Sequence, residues 1–125
     1  MKKNKVSINI ISSFNHSNFA GLLKNSDNFD WHINEVDYNQ VFQNLNNVNA
    51  KIWKKKTNIT LIWTTPESIS PEFQKLQKQD SAKSDLIKKD VDYFCSCIKK
   101  IKEHSDIVLV PNWILKHAKQ TNLVT

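Results

Sequence analysis

Apolar residues fall into four short runs, with segments of helical spacing between them. Val6, Ile8, Ile10 and Ile11 are β-branched and nearly continuous, which predicts a first strand over residues 5–11, buried on both faces. Phe19, Ala20, Leu22 and Leu23 then recur at helical spacing, with Ser17 placed to cap a helix reaching about residue 24. Asn25-Ser26-Asp27-Asn28 is a turn cluster. Phe29, Trp31 and Ile33 alternate with polar residues, so residues 29–36 are expected as a strand at the sheet edge. After the break at Asp37-Tyr38-Asn39, helical spacing returns with Val41, Phe42, Leu45 and Val48, and Ala50, Ile52 and Trp53 extend or end that helix. Residues 58–63 form a third, almost wholly apolar strand. Ser70-Pro71 supplies a cap and a first helical position for a short helix carrying Phe73 and Leu76. A polar connector, residues 77–84, leads to the strongest amphipathic pattern. There, over residues 85–103, Leu86, Ile87, Val91, Phe94, Cys95, Ile98 and Ile101 form one stripe. Residues 106–110 are a fourth strand closed by Pro111-Asn112, residues 113–119 read as a last short helix, and residues 120–125 are unassigned.

Strands alternating with helices imply a three-layer α/β/α domain with a mostly parallel sheet of four or five strands. In such a sheet ligands sit in the loops at the carboxyl ends of the strands. Three loops share that edge here: one with Ser12, Ser13, Asn15 and His16, one with Tyr38, Asn39 and Gln40, and one with Trp63, Thr64 and Thr65. Together they suggest a polar pocket with an aromatic rim, although Asn and Thr at such places also serve ordinary capping and turn chemistry.

Composition narrows the partners. The 125 residues fit a single domain, 1–125, large enough to bury a core. Net charge is +6, and all 18 basic residues are lysine. The lack of arginine argues against dedicated nucleic-acid or phosphate recognition, where a planar bidentate fork is favoured. The scattered lysines read as a solvated surface. Cys95 and Cys97 lie two apart on a helix, so they point apart and cannot pair, and C-x-C alone is no zinc site. Cys95 is expected in the core and Cys97 partly exposed, in a reducing cytoplasm. The amino-terminal run is interrupted by Ser7 and Asn9 and is no signal peptide, and no run reaches membrane-spanning length.

Three motifs in order carry a family resemblance: Ile-Ile-Ser-Ser-Phe-Asn ending the first strand, Asp37-Tyr38-Asn39-Gln40-Val41-Phe42 after the second, and Ile62-Trp63-Thr64-Thr65-Pro66-Glu67 after the third. A helix and Ile107-Val108-Leu109-Val110-Pro111 complete the pattern. The chain resembles the amino-terminal domain of FkbH-like proteins, which is related to SGNH (GDSL-type) hydrolases. The resemblance implies an SGNH- or flavodoxin-like fold and, downstream, a HAD-type phosphatase-like domain. It also implies a link to acyl carrier proteins in polyketide or polysaccharide biosynthesis. The HAD motif D-x-D-x-T is absent here. A fifth strand is usual in the family, so a shortened carboxyl end is expected. Residues 113–117 are then expected to pack as a short helix over the sheet, with one outer strand left open or paired in a weak homodimer.

By the same resemblance Ser13, then Ser12, stands where SGNH enzymes carry their nucleophile. The loop lacks their Gly and Asp, however, and no D-x-x-H follows. A serine nucleophile needs a base that is itself oriented by a third group. His16 reads as a solvated loop residue within approach of Ser13, His32 and His104 read as structural, and His117 lacks an acid at the required spacing. The expectation is therefore an incomplete or non-catalytic module for a small ligand or partner, without cofactor or metal. An SGNH-type esterase acting on small acyl esters is the alternative. A flavodoxin-like phosphate loop would need a glycine near Ser12, Ser13 and Ser17, and a response-regulator receiver would need Asp where Trp63-Thr64 stands.

Overall fold

The computed structural model of the chain describes residues 3–77 and 83–113, with the side chains of residues 76 and 77 left out. Four strands, β1 (Lys5–Ser12), β2 (Asp30–Glu35), β3 (Thr57–Trp63) and β4 (Ser105–Leu109), form an all-parallel sheet in the order β2-β1-β3-β4. Among the described residues five α-helices accompany them: α1 (Ser17–Lys24), α2 (Val41–Asn46), α3 (Pro66–Ile69), α4 (Phe73–Gln77) and α5 (Ser84–Ile101). The result is the three-layer α/β/α architecture expected from the alternation.

Because strand side chains alternate between faces, β1 feeds two cores at once. Ile8 and Ile10 point to one face and pack with Leu61, Ala20, Phe19 and Leu23, so α1 covers that layer. Ile11 and Ile62 point to the other, where Val41, Leu45, Trp53, Phe94, Cys97 and Ile101 bring in α2, α5 and the short 3-10 turn Lys51–Trp53. The alternation in β2 places Trp31 and Ile33 on the α1 face and Val36 on the other, at the sheet edge as expected.

A polar row crosses the α2 and α5 face of the sheet. Asn9, in the middle of β1, is fully buried; its Oδ1 accepts from Asn34 Nδ2 at 2.9 Å. Its Nδ2 faces Thr57 Oγ1 at 3.3 Å, Thr60 Oγ1 at 3.4 Å and Ile52 O at 3.4 Å. Both threonine hydroxyls meet Ser105 Oγ, Thr57 at 2.7 Å. All four strands contribute, and buried polar groups with partners of this kind fix register, since a one-residue slip turns each of them to the wrong face.

Several local expectations are corrected. Ser17 is the first helical residue, not the cap: His16 occupies the cap position, and Asn15 Oδ1 accepts the Ser17 N–H at 2.9 Å. Val48 is exposed beyond the end of α2. Ser70 does not cap a helix; it is buried and donates to Asp90 Oδ2 on α5 at 2.8 Å, while the Thr65-Pro66 pair starts α3. On α5 the buried stripe is Phe94, Cys97 and Ile101, spaced three and four apart, so Cys97 is buried and Cys95 exposed, the reverse of expectation. Leu86 is exposed as well. The expected helix at residues 113–117 and His117 lie outside the described residues, except Trp113. Among the described residues no helix is long and apolar enough to cross a membrane.

Candidate functional site at the carboxyl ends of the strands

The register decides which side chains meet at this edge. Ser12 is the last residue of β1, opposite Trp63; two residues earlier, Ile10 stands opposite Glu35, the last residue of β2. Side chains opposite one another in a parallel pair project to the same face, and so do those two apart on one strand. Ser12 and Glu35 therefore both face α1, whose cap position holds His16. Ser12 Oγ lies 2.5 Å from His16 Nδ1, and His16 Nε2 lies 3.1 Å from Glu35 Oε1. Ser12 Oγ also donates to Phe14 O at 2.6 Å. Ser12 is 1% exposed and His16 5%, while the Glu35 side chain is 37% exposed.

Hydroxyl, imidazole and carboxylate thus stand in the order of nucleophile, base and orienting acid. An imidazole protonated at Nε2 donates to Glu35 and accepts the Ser12 proton at Nδ1. A doubly protonated ring donates from Nδ1 to Ser12 Oγ, whose own proton then goes to Phe14 O. The first arrangement spends the single Ser12 proton on the ring and leaves Phe14 O without it; the second gives each of these contacts a donor. The serine oxygen is enclosed by its own loop, so in this conformation the chain of bonds is a latch. It ties the loop to the start of α1 and to the end of β2.

The other sequence candidates are distributed around the latch. Ser13 Oγ accepts the Thr65 N–H at 3.0 Å and Ser13 N–H donates to Trp63 O at 3.1 Å, which couples the first loop to the third. Trp63 turns into the α1-face core, edge-on to Phe14 and Phe19, each 5.2 Å away. Thr64 is buried and accepts from Trp113 Nε1 at 2.9 Å. Asn39 takes a positive φ of 64°, which Asn tolerates, and its N–H donates to Ser12 O at 2.8 Å. Asn15, Tyr38 and Gln40 are exposed. His16, expected in solvent, is buried, and it meets Ser12 instead of Ser13. Glu35 was not anticipated, although its alternation with Trp31 and Ile33 already put it on the α1 face.

Of this cluster, Glu35 alone reaches a cavity wall. A cavity of about 590 Å³ runs along β2 and the Lys51–Trp53 turn; another, about 480 Å³, lies at the amino ends of the strands between Lys3, Lys5, Lys24, Phe29 and Trp31. Among the described residues no group of three His, Cys, Asp or Glu side chains is arranged to hold a metal ion.

With this geometry in hand, comparison with known proteins gives a limited answer. No family model matches the sequence, and no curated protein matches it. Among solved structures, the chain is similar to the amino-terminal part of the protein BF1531 from Bacteroides fragilis, which contains a phosphatase domain and was crystallised with Mg. Identity is 18%, the TM-score is 0.62, and the match covers 94% of this chain but 33% of that one. The likeness is one of fold. This chain spans about a third of that protein fragment.

Proposed function

We propose that the chain is a non-catalytic SGNH-like docking module of the FkbH type, acting in the cytoplasm beside a HAD-type phosphatase-like domain or an acyl carrier protein. The enclosed Ser12 hydroxyl carries this reading. A serine nucleophile has to present its oxygen to a carbonyl carbon, and this one is bonded within its own loop at 1% exposure. The similarity in fold to part of a protein that contains a phosphatase domain supports the same reading. So does the net charge of +6, which steers acidic partners in a salt-sensitive way. Titration against a HAD-type domain and against an acyl carrier protein tests it, with binding that weakens as salt rises as the expected result. No binding to either at low salt removes the docking reading. Small-molecule binding and weak homodimerisation belong to the same proposal, and sedimentation at several concentrations tests the dimer.

A second reading, a serine esterase for small acyl esters, is favoured by the Ser12–His16–Glu35 order. It moves the expected nucleophile from Ser13 to Ser12. Assay of short acyl nitrophenyl esters with Ser12→Ala and Ser13→Ala variants separates the two readings. Turnover lost only in Ser12→Ala establishes the esterase and overturns the non-catalytic module.

A further inference from the structure

The 590 Å³ cavity is lined on one side by residues 33–36. Consecutive strand residues point to opposite faces, so a cavity touching four in a row faces the edge of the strand and its backbone. β2 is an end strand of the sheet, and its outer edge pairs with no other strand among the described residues. Such an edge is a ready template for one more strand.

The opposite wall comes from Lys51, Ile52, Lys54 and Lys55, in and just after the 3-10 turn. Its three lysines are exposed, and none makes an ion pair among the described residues, whereas the neighbouring Lys56 pairs with Asp106 at 3.4 Å. Glu35 is the one acid lining the cavity, and it is engaged by His16. The groove therefore offers an open strand edge on one side and three uncompensated cations on the other.

We propose that this groove binds an extended acidic segment of a partner protein as an added fifth strand beside β2. Main-chain hydrogen bonds to the edge supply the general affinity, and carboxylates facing Lys51, Lys54 and Lys55 supply the selectivity. The cavity volume lies within the range of ordinary ligand sites. A second copy of this chain is the disfavoured occupant, because each copy carries +6 and the copies repel. The proposal rests on the docking reading above and adds to it a surface and a partner chemistry.

The test uses a fluorescein-labelled hexapeptide of alternating Glu and Val, with a Lys and Val counterpart as control, read by fluorescence anisotropy. The acidic peptide binds and the basic one does not. The Lys54→Glu, Lys55→Glu double variant weakens binding about tenfold, a loss of about 1.4 kcal/mol. The Lys88→Glu, Lys89→Glu variant, which makes the same charge change on α5, weakens it less than twofold. N-methylating alternate peptide nitrogens abolishes binding, which bulk charge attraction would not explain. Equal losses in the two double variants, undiminished binding of the N-methylated peptide, or no binding at all each overturn the proposal. So does dimerisation of the chain that Lys54→Glu, Lys55→Glu alters. If the peptide fails while a HAD-type domain or carrier protein still binds, the groove is wrong and the docking reading stands.

Discussion

Replacing Asn9 with alanine tests whether the polar row holds the sheet in register. The side chain is fully buried at the centre of β1. Its Oδ1 takes one good bond from Asn34, and its Nδ2 shares three longer contacts of 3.3 to 3.4 Å. Asn34 is exposed and turns to water when its partner goes, so that bond accounts for about 1 kcal/mol. Thr57 and Thr60 keep Ser105. The carbonyl of buried Ile52 loses its side-chain contact, at about 1 kcal/mol. The small hole left behind adds about 1 kcal/mol more. The total is about 3 kcal/mol, which for a domain of this size lowers the melting temperature by about 10 °C. Urea unfolding followed by tryptophan fluorescence measures it, with the midpoint falling and the slope unchanged. A loss under about 0.5 kcal/mol would refute the argument, because burial without net stabilisation would make the row incidental.

Removing the imidazole with His16→Ala is expected to cost about 2 kcal/mol and to speed amide exchange in residues 12–16 selectively. Exchange unchanged there means the latch does not hold the loop. Cys95 reacts with a thiol reagent in the native state and Cys97 only on unfolding, so one fast equivalent is expected, and two would contradict the buried position of Cys97. Glu72 accepts from Lys75 Nζ at 2.8 Å and from the Lys83 N–H at 2.9 Å, and these bonds, the Lys75 one foremost, hold its carboxyl below the ordinary carboxylate range. Its contribution is therefore present above that range and lost as pH falls through the lowered value. Melting curves of wild type and Glu72→Gln should converge in acid and separate toward neutral pH; a constant gap speaks against the linkage.

Strand positions were legible because β-branched apolar runs such as Ile8–Ile11 and Ile59–Ile62 have few other uses in a chain this size. Helix starts were less so. Thr65-Pro66 and Ser70-Pro71 carry the same signature, but α3 starts at Pro66 itself whereas α4 starts only at Phe73, with the Ser70 hydroxyl committed to Asp90 instead of a cap. Cys95 and Cys97 lie near opposite borders of one helical stripe, where a small error in phase exchanges inside for outside. At the site, motif position favours Ser13 over Ser12, but strand alternation points Ser12 toward α1. His16 was unreadable for a different reason: its burial depends on the four-residue loop 13–16 folding back on the strand it leaves, and no periodicity records that.

The latch also has a consequence for the order in which the chain assembles. Ser12 reaches His16 across four positions and His16 reaches Glu35 across nineteen, so the whole device closes inside the β1-α1-β2 segment. The polar row, by contrast, apart from the Asn9–Asn34 bond, joins residues 43 to 51 apart, as in Asn9 to Ile52 and Asn9 to Thr60. Short loops close at lower entropic cost. The amino-terminal third is therefore expected to form first, already locked at its loop end, with β3 and then β4 adding in parallel. Substitutions in the latch should slow folding, whereas those at Ser105 should chiefly speed unfolding.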